Sequence, residues 1–561
     1  ALLPFGGELA TNATSNTSYN MQHKLVFSKT INEIHRINAM AGMEIRSEDN
    51  KNNTNTVWGY VPERGEILVS PTHPTEVTPV GGTVPISWGA LDKLYQGGWK
   101  NTTITNNYVS FFATFAYSLK DRYVLNANIR SDASNRFGQD ANKQFDPTYS
   151  LGVSWRMAEE EFVKTHLPWI NQLNMRATYG VQGNVVTSVS PDLITQYQGI
   201  LPGYNEYYLT ISSLPNPLLK WERTKTWNVG LDLQLFNGIT MSLEYYGRRS
   251  NAIINQDIAQ EYGMNTMKLN GGRIHNHGLE FSMNITPYQR KDFAWTIGFN
   301  ASKNWNKTQN DDIQTKANKI TKSDFISGSS DRFLKKGYPL SAFWSYSFAG
   351  LDPETGYPTF NLIDFEEADP DIDPTTFLVY SGQKDPYFTG GVDTRIRYKS
   401  LSLGVNFSVL LGAKKRLPNP YQNFNYGKLP EPFYNLSKDL LKRWQKPGDE
   451  KHTIYPALYT SVEDVYNIKL PDGTAANSIY EMWGNSDAMV VDASFLRCTQ
   501  ISLSWNVPVQ ICAKFGATNC SISANVNNPF VIGSSRFNGF DPELGDSVMP
   551  KVFSFGLSVG F

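Results

Sequence analysis

Val552-Phe553-Ser554-Phe555-Gly556-Leu557-Ser558-Val559-Gly560-Phe561 is the stretch that decides the fold. Phe553, Phe555, Leu557, Val559 and Phe561 alternate with Ser554, Gly556, Ser558 and Gly560. A period of two places large apolar groups on one face of a strand and small or polar groups on the other. The apolar face is broad and ends on an aromatic ring. That is the pattern of a membrane β-barrel strand, with lipid outside and water or a plug inside.

The same alternation recurs upstream. In 401–411, Leu401, Leu403, Val405, Phe407, Val409 and Leu411 interleave with Ser402, Gly404, Asn406 and Ser408. Trp227, Val229, Leu231, Leu233 and Leu235 oppose Asn228, Gly230, Asp232 and Gln234; Leu279, Phe281, Met283 and Ile285 oppose Glu280, Ser282 and Asn284. Ile501, Leu503, Trp505 and Val507 repeat it against Ser502, Ser504 and Asn506. A soluble sandwich would cover such faces with a second sheet. Here nearly every strand carries the pattern over ~9–13 residues, the length that a tilted membrane strand needs.

Composition narrows the function. A net charge of -1 argues against nucleic acid as a partner, because a phosphate-binding surface needs a cationic excess. No apolar run is long enough for a membrane helix, whereas a barrel wall needs apolar residues only at every second position. Cys498, Cys512 and Cys520 are too few and too odd in number for a disulfide framework or a zinc site. His275 and His277 share a strand face but have no further ligands nearby in sequence, so no metal is expected. Nucleophile elbows, phosphate loops, HExxH and paired catalytic carboxylates are absent in plausible context, so neither an enzyme nor a cofactor is expected.

About 17 strands are predicted, near 20–30, 35–46, 106–118, 122–132, 147–157, 172–182, 224–236, 238–249, 276–288, 291–304, 341–349, 357–363, 386–399, 400–411, 492–506, 519–530 and 551–561. Short turns fall at Asn237-Gly238, 287–292, 352–356 and Lys399-Ser400; long loops fall near 47–105, 183–223, 305–340 and 412–491. Residues 431–446 read as a short helix stopped by Pro447-Gly448. Barrels of this type turn briefly on the periplasmic side and loop widely outside the cell, so Phe561 is expected on the periplasmic side and residues 1–19 outside. A complete bacterial barrel begins and ends on one side. The whole of 1–561 is therefore expected to be the C-terminal part of a larger barrel, lacking an odd number of strands.

Several motifs then resemble the SusC-like family of TonB-dependent outer-membrane transporters of Bacteroidetes. Arg130-Ser131-Asp132-Ala133-Ser134-Asn135-Arg136-Phe137-Gly138 is similar to the family's R-x-D-G-S-S-R-F-G, with Ala133 where Gly is usual. Arg176-Ala177-Thr178-Tyr179-Gly180-Val181-Gln182-Gly183-Asn184 resembles R-x-S-Y-G-x-x-G-N, and Asn216-Pro217-Leu218-Leu219-Lys220-Trp221-Glu222 resembles N-P-x-L-K-W-E. Asn228 to Asp232, Asn276 to Glu280, Ala493 to Arg497, Asn528-Pro529-Phe530 and Asp541-Pro542-Glu543 follow in the family order. The resemblance implies an all-β transmembrane antiparallel barrel of ~22 strands. The plug and the TonB-contacting segment would be absent from this chain. It further implies import of oligosaccharides or peptides across the outer membrane, a SusD-like surface lipoprotein as lid, and TonB acting through that absent plug. The alternatives are a TonB-dependent receptor for an iron chelate or haem, and a surface glycan-binding or adhesin β-protein.

Aromatics and amides crowd two outer segments, making Tyr204, Tyr207, Tyr208, Tyr421, Asn423 and Tyr426 candidates for cargo or partner contact. Trp221 joins them, although two prolines upstream, Pro215 and Pro217, favour a structural corner there. Arg130, Asp132 and Arg136 are candidates for lumen or plug contact, as are Asp232 and Glu280, which alternation points inward.

Overall fold

The computed structural model describes residues 6–68, 98–135, 145–184, 186, 189–201, 204, 206–264, 266–309, 335–361, 378–422, 433, 435–458 and 479–561. Arg136, Asn423 and Tyr426 lie outside these residues.

One 16-stranded antiparallel sheet dominates. Its strands are β1 (Gly7–Ile31), β2 (His35–Val61), β4 (Gly98–Leu119), β5 (Tyr123–Ser134), β6 (Asp146–Arg156), β7 (Ile170–Asn184), β10 (Glu222–Leu235) and β11 (Ile239–Asp257). It continues with β12 (Thr266–Gln289), β13 (Phe293–Thr308), β18 (Phe388–Tyr398), β19 (Leu401–Leu411), β22 (Phe495–Val507), β23 (Asn519–Gly533) and β24 (Val552–Gly560). The sixteenth strand, β3 (Ile67–Leu68), pairs only with the tip of β2, leaving fifteen in line. Each wall strand pairs with the next in chain order, as in an up-and-down barrel wall. Among the described residues β1 and β24 are not paired with each other, and each is exposed along nearly its whole length.

Register converts alternation into two faces. Phe115, Ala127, Leu151, Tyr179 and Trp227 lie directly across from one another on successive strands. Ala116, Asn126, Gly152, Thr178 and Asn228 form the neighbouring row on the opposite face. The apolar row looks outward: Phe555 is 84% exposed, and Leu151, Leu403 and Leu503 are exposed too. Among the described residues no second sheet covers them, as a lipid-facing wall requires. Aromatic pairs mark both margins of that face. Tyr123–Trp155 and Trp169–Phe236 stack near the short turns, and Trp227–Tyr245 and His277–Trp305 meet toward the loops. Such girdles sit where rings meet lipid headgroups.

Connections alternate as expected. The turn side carries Asn32, Lys120, Asp121, Phe236 and Lys399 in the left-handed backbone region that tight hairpins demand. Between β6 and β7 a longer link folds as a short helix, Glu161–His166. Glu160 tethers it, accepting hydrogen bonds from Tyr123 (2.6 Å), Arg122 (2.9 Å) and Trp155 (3.1 Å). These bonds, led by the Tyr123 hydroxyl, hold the Glu160 carboxyl below its ordinary range.

Four expectations need correction. Strands predicted at 341–349 and 357–363 are not in the wall: they contribute to two small sheets, β14 (Ala342–Tyr346) with β17 (Leu378–Gln383) and β15 (Phe348–Leu351) with β16 (Pro358–Phe360). Ala342 to Tyr346 is buried on both faces, so it obeys packing and not lipid. The turn at 352–356 therefore joins β15 to β16 and lies on the loop side. Residues 438–442 form one 3₁₀ turn capped by Ser437, and no α-helix runs through the described part of 431–446. Finally, the loop expected at 47–105 begins and ends as strand, for β2 runs to Val61 and β4 starts at Gly98. At 25, 27 and 22 residues, β1, β2 and β4 far exceed a membrane crossing, so their loop-side halves stand in water.

Candidate functional site

Two polar clusters hold the inner face. In the first, Arg130 of β5 donates to Asp132 (2.6 Å), Ser110 (2.8 Å) and Glu44 (3.3 Å). Neighbouring strands supply these groups at one level, so register alone assembles the cluster. Arg130, Asp132 and Trp221 line one concavity of about 690 Å³ on this face. Trp221 is nearly buried against Val189 and Leu219, beside Gly183, and forms a corner with its neighbours. Asn216 donates to the Lys268 carbonyl (2.9 Å), and Glu222 accepts from the Ile253 amide (2.9 Å).

The second cluster centres on Arg176 of β7, which pairs with Asp232 of β10 and Glu244 of β11. Ser242 donates to Asp232 and Asn228 to Glu244. Reaching across β10 is possible because position 230 is glycine: a Cβ there would meet the Arg176 Nε at 2.7 Å. Glu280 faces Glu244 directly across β11 and β12. Among the described residues no ion pair is found for Glu280. The sequence reading named Asp232 and Glu280 but missed Arg176 and Glu244, although Arg176 opens a recognised motif. Only the cross-strand register reveals that one arginine spans two neighbours.

A folded subdomain caps the loop side. Tyr421, Leu440, Ile479, Tyr480, Trp483 and Met489 form its core. Tyr421 is fully buried, stacks on Tyr480 at 4.6 Å and donates its hydroxyl to the Pro456 carbonyl at 2.7 Å. The expectation that Tyr421 contacts cargo or a partner is thereby corrected, since its ring and hydroxyl are consumed in packing. Sequence could not distinguish it from an exposed aromatic because no regular period runs through the loop. β20 (Lys414–Arg416) and β21 (Val490–Asp492) join this unit to the wall, with Lys414 and Asp492 paired at 2.8 Å. Burial pushes the Asp492 carboxyl up, but hydrogen bonds from Lys414 and Ser494 outweigh it and hold the carboxyl at about 2.

The loop between β23 and β24 folds onto the inner face through a buried ion pair. Arg497 of β22 donates to Asp541 at 2.7 Å and to Glu543 at 3.0 Å. Leu496 beside it is on the exposed outer face, so alternation aims Arg497 inward. Both partners belong to quoted motifs, yet their contact could not be read from the sequence.

Tyr207 and Tyr208 lie on a separate hairpin of β8 (Ile194–Leu201) and β9 (Glu206–Ser213), with Tyr204 at its tip. Tyr204 and Tyr207 are about three-quarters exposed, and Tyr197, Leu209 and Ile211 add apolar surface. His277 stacks on Trp305, and no metal-binding cluster occurs among the described residues. Cys498, Cys512 and Cys520 are unbridged.

Comparisons with known proteins agree with this architecture. The family model "TonB dependent receptor-like, beta-barrel" matches residues 7–408. The TonB-dependent receptor SusC of Bacteroides thetaiotaomicron is 28% identical over 488 residues, covering 81% of this chain and 44% of SusC. The TonB-dependent receptor P26 of Formosa agariphila is 25% identical over 569 residues, covering 96% of this chain and 51% of the receptor. The chain thus spans about half the length of the curated relatives it matches. The solved RagAB peptide transporter has a TM-score of 0.74 at 21% identity, covering 99% of this chain and 56% of that one. At this identity the likeness speaks for the fold. With lipid-facing and lumen-facing rows on its strands and a matching family model over most of its length, the chain belongs to the TonB-dependent receptor-like β-barrel family of the outer membrane.

Proposed function

We propose that this chain forms part of the wall and mouth of a SusC/SusD-type importer that takes up oligosaccharides or peptides across the outer membrane. The observation that carries this reading is the pairing of a lipid-facing wall with a folded, polar mouth. A pore-forming wall alone would not need the buried core around Tyr421 and Trp483 or the Arg497–Asp541 anchor. SusC and the RagAB peptide transporter are what the chain resembles, which favours nutrient import over an iron-chelate receptor or an adhesin.

Mechanistically, the rigid wall contributes position and the mouth contributes recognition. Further strands would pair with the free edges of β1 and β24, since unpaired backbone is prohibitively costly in lipid. A plug moved by TonB would seat against the inner face, where Arg130, Asp132, Asp232 and Glu280 are presented. Glu280 is the foremost candidate, because the other three already hold ion-pair partners within the wall. A SusD-like lipoprotein would close over the mouth. The exposed Tyr204, Tyr207, Leu209 and Ile211 surface suits such a contact, as apolar patches of this kind mark partner sites.

The test is uptake. Cells carrying the full-length gene are compared with a deletion strain for growth on defined oligosaccharides and peptides, and for copurification of a surface lipoprotein. Loss of growth on one such nutrient, restored by the gene, supports import. Unchanged growth on every nutrient with lost growth on a ferric chelate would replace this reading with the iron-receptor one.

A further inference from the structure

An odd trio of cysteines makes no framework, but two of its members meet at one end of the wall. β22 ends at Val507, and Cys520 of β23 lies directly across from it. After Val507, Pro508 starts a short helix, Val509–Cys512, and Gly516 turns the chain back in the left-handed region at φ 72°. This path returns Cys512 to the strand ends. Its thiol donates to the Val507 carbonyl at 3.4 Å, and its own carbonyl accepts from the Ala517 amide at 3.1 Å. The Cys520 thiol is in hydrogen-bond contact with the Cys512 sulfur. Cys512 is buried, Cys520 is partly exposed, and both are free thiols. Cys498 sits near the other end of β22, across from Phe407 and Phe530. At the usual rise of a strand that is about 30 Å from Val507, beyond reach of the pair.

The β22–β23 turn lies at the same end of the wall as those at Asn32, Lys120 and Lys399. In barrels of this type the short turns face the periplasm, which is kept oxidising by disulfide-bearing oxidants. Buried thiols often serve only as small apolar groups. Contact between two of them, at the oxidising end of the molecule, sets this pair apart.

We propose that Cys512 and Cys520 are joined by a disulfide in the mature protein, clasping the periplasmic end of the β22–β23 hairpin. The chemistry is exchange with a periplasmic protein disulfide. The Cys520 thiolate attacks that disulfide and expels one of its sulfurs as a thiolate. The Cys512 thiolate then attacks the Cys520 Sγ and expels the second. Two S–H bonds are lost and one S–S bond forms, while two electrons and two protons pass to the oxidant, which leaves as a dithiol. The sulfurs need only close from hydrogen-bond contact to about 2.05 Å. The bridge braces the segment that holds the final strand, since Thr518 donates to the Gly560 carbonyl through its amide (2.7 Å) and its hydroxyl (3.0 Å).

Lys514 lies between the two cysteines, so trypsin separates them: Cys512 falls in peptide 498–514 and Cys520 in peptide 515–536. Cells producing the full-length protein are denatured directly in N-ethylmaleimide, which caps free thiols before they can oxidise, and the unreduced digest is read by mass spectrometry. In most molecules the two peptides should appear joined, with the maleimide on Cys498, and reductant should separate them. The joined species should vanish in Cys512→Ser and in Cys520→Ser and persist in Cys498→Ser. Fragmentation of the joined wild-type peptides locates the bridge at Cys512 whether or not the variants fold. Maleimide on both Cys512 and Cys520 in most of the wild-type protein, or a bridge that maps to Cys498, would overturn the proposal.

Discussion

Asp541→Asn should free the loop that closes β23 onto β24. Arg497 and Asp541 are each only 4% exposed at the side chain, and the substitution strips the charge while leaving an oxygen to accept the Glu543 amide, now 2.9 Å from the carboxylate. Removing one partner of a buried pair costs about 3–5 kcal/mol, because the other charge stays desolvated. Glu543 remains 3.0 Å from Arg497 but is half exposed, so it can recover only part of that cost. We therefore expect the lower end, about 3 kcal/mol, which is roughly a hundredfold rise in the opened population of the loop. Trypsin offers a local readout. Arg536 is tied to the Val490 carbonyl at 3.0 Å in the closed loop and becomes cleavable when the loop opens. In native outer membranes the Asp541→Asn protein should be cut at Arg536 about a hundredfold faster. The double variant Arg497→Met/Asp541→Leu should return to within about tenfold of native, since a hydrophobic pair of similar volume replaces the charges. Cleavage within twofold of native in the single variant, or a double variant as fragile as the single, would refute the reasoning.

Three further outcomes follow from the wall and mouth. Leu403→Arg, on the exposed apolar row, should cost about 2–4 kcal/mol if it sits near the bilayer midplane, whereas Asn406→Arg on the same strand should cost under about 1 kcal/mol; urea unfolding in lipid vesicles measures the difference. Gly230→Ala should displace Arg176 and weaken its pairing with Asp232 and Glu244, by on the order of 1 kcal/mol given that these groups are about 30% exposed, and the same titration should detect it. Acid should loosen β20 from β21: the Asp492 carboxyl is depressed to about 2, so its contribution is complete above its unfolded value of about 4 and disappears as pH falls toward 2. Hydrogen exchange of the Lys414–Arg416 amides should accelerate across that window, and Asp492→Asn should abolish the pH dependence.

Legibility followed the presence of lipid. Where strands cross the bilayer, two solvents impose a period of two, so β10, β19, β22 and β24 could be read directly from the sequence. Where the same strands leave the bilayer the period vanishes. Thr11 to Thr17 and Ser47 to Thr56 are polar at nearly every position, and both faces meet water although they are paired throughout as β1 and β2. Ala342 to Tyr346 fails in the opposite direction: both faces are packed, and a run of apolar residues resembled a wall strand. The inner-face candidates were half legible. Alternation gave the face for Asp232 and Glu280, but partner identity depends on register across strands that are distant in sequence. The mouth was least legible, because its contacts join segments as far apart as Lys415 and Glu543.

The distribution of charge separates what the wall needs from what it offers. Arg130 with Asp132 and Glu44, and Arg176 with Asp232 and Glu244, are completed within adjacent strands, so they form as soon as the sheet does. Such groups pin neighbouring strands at one level and are poor at recognising a visitor, since binding would first have to break them. Glu280 behaves otherwise. Glu280 stands opposite Glu244, a like-charge placement that disfavours the sheet itself. A site that burdens the wall without strengthening it is explained by a partner that arrives later. In the importer proposed above that partner would be the plug, seated against the inner face where Glu280 is presented.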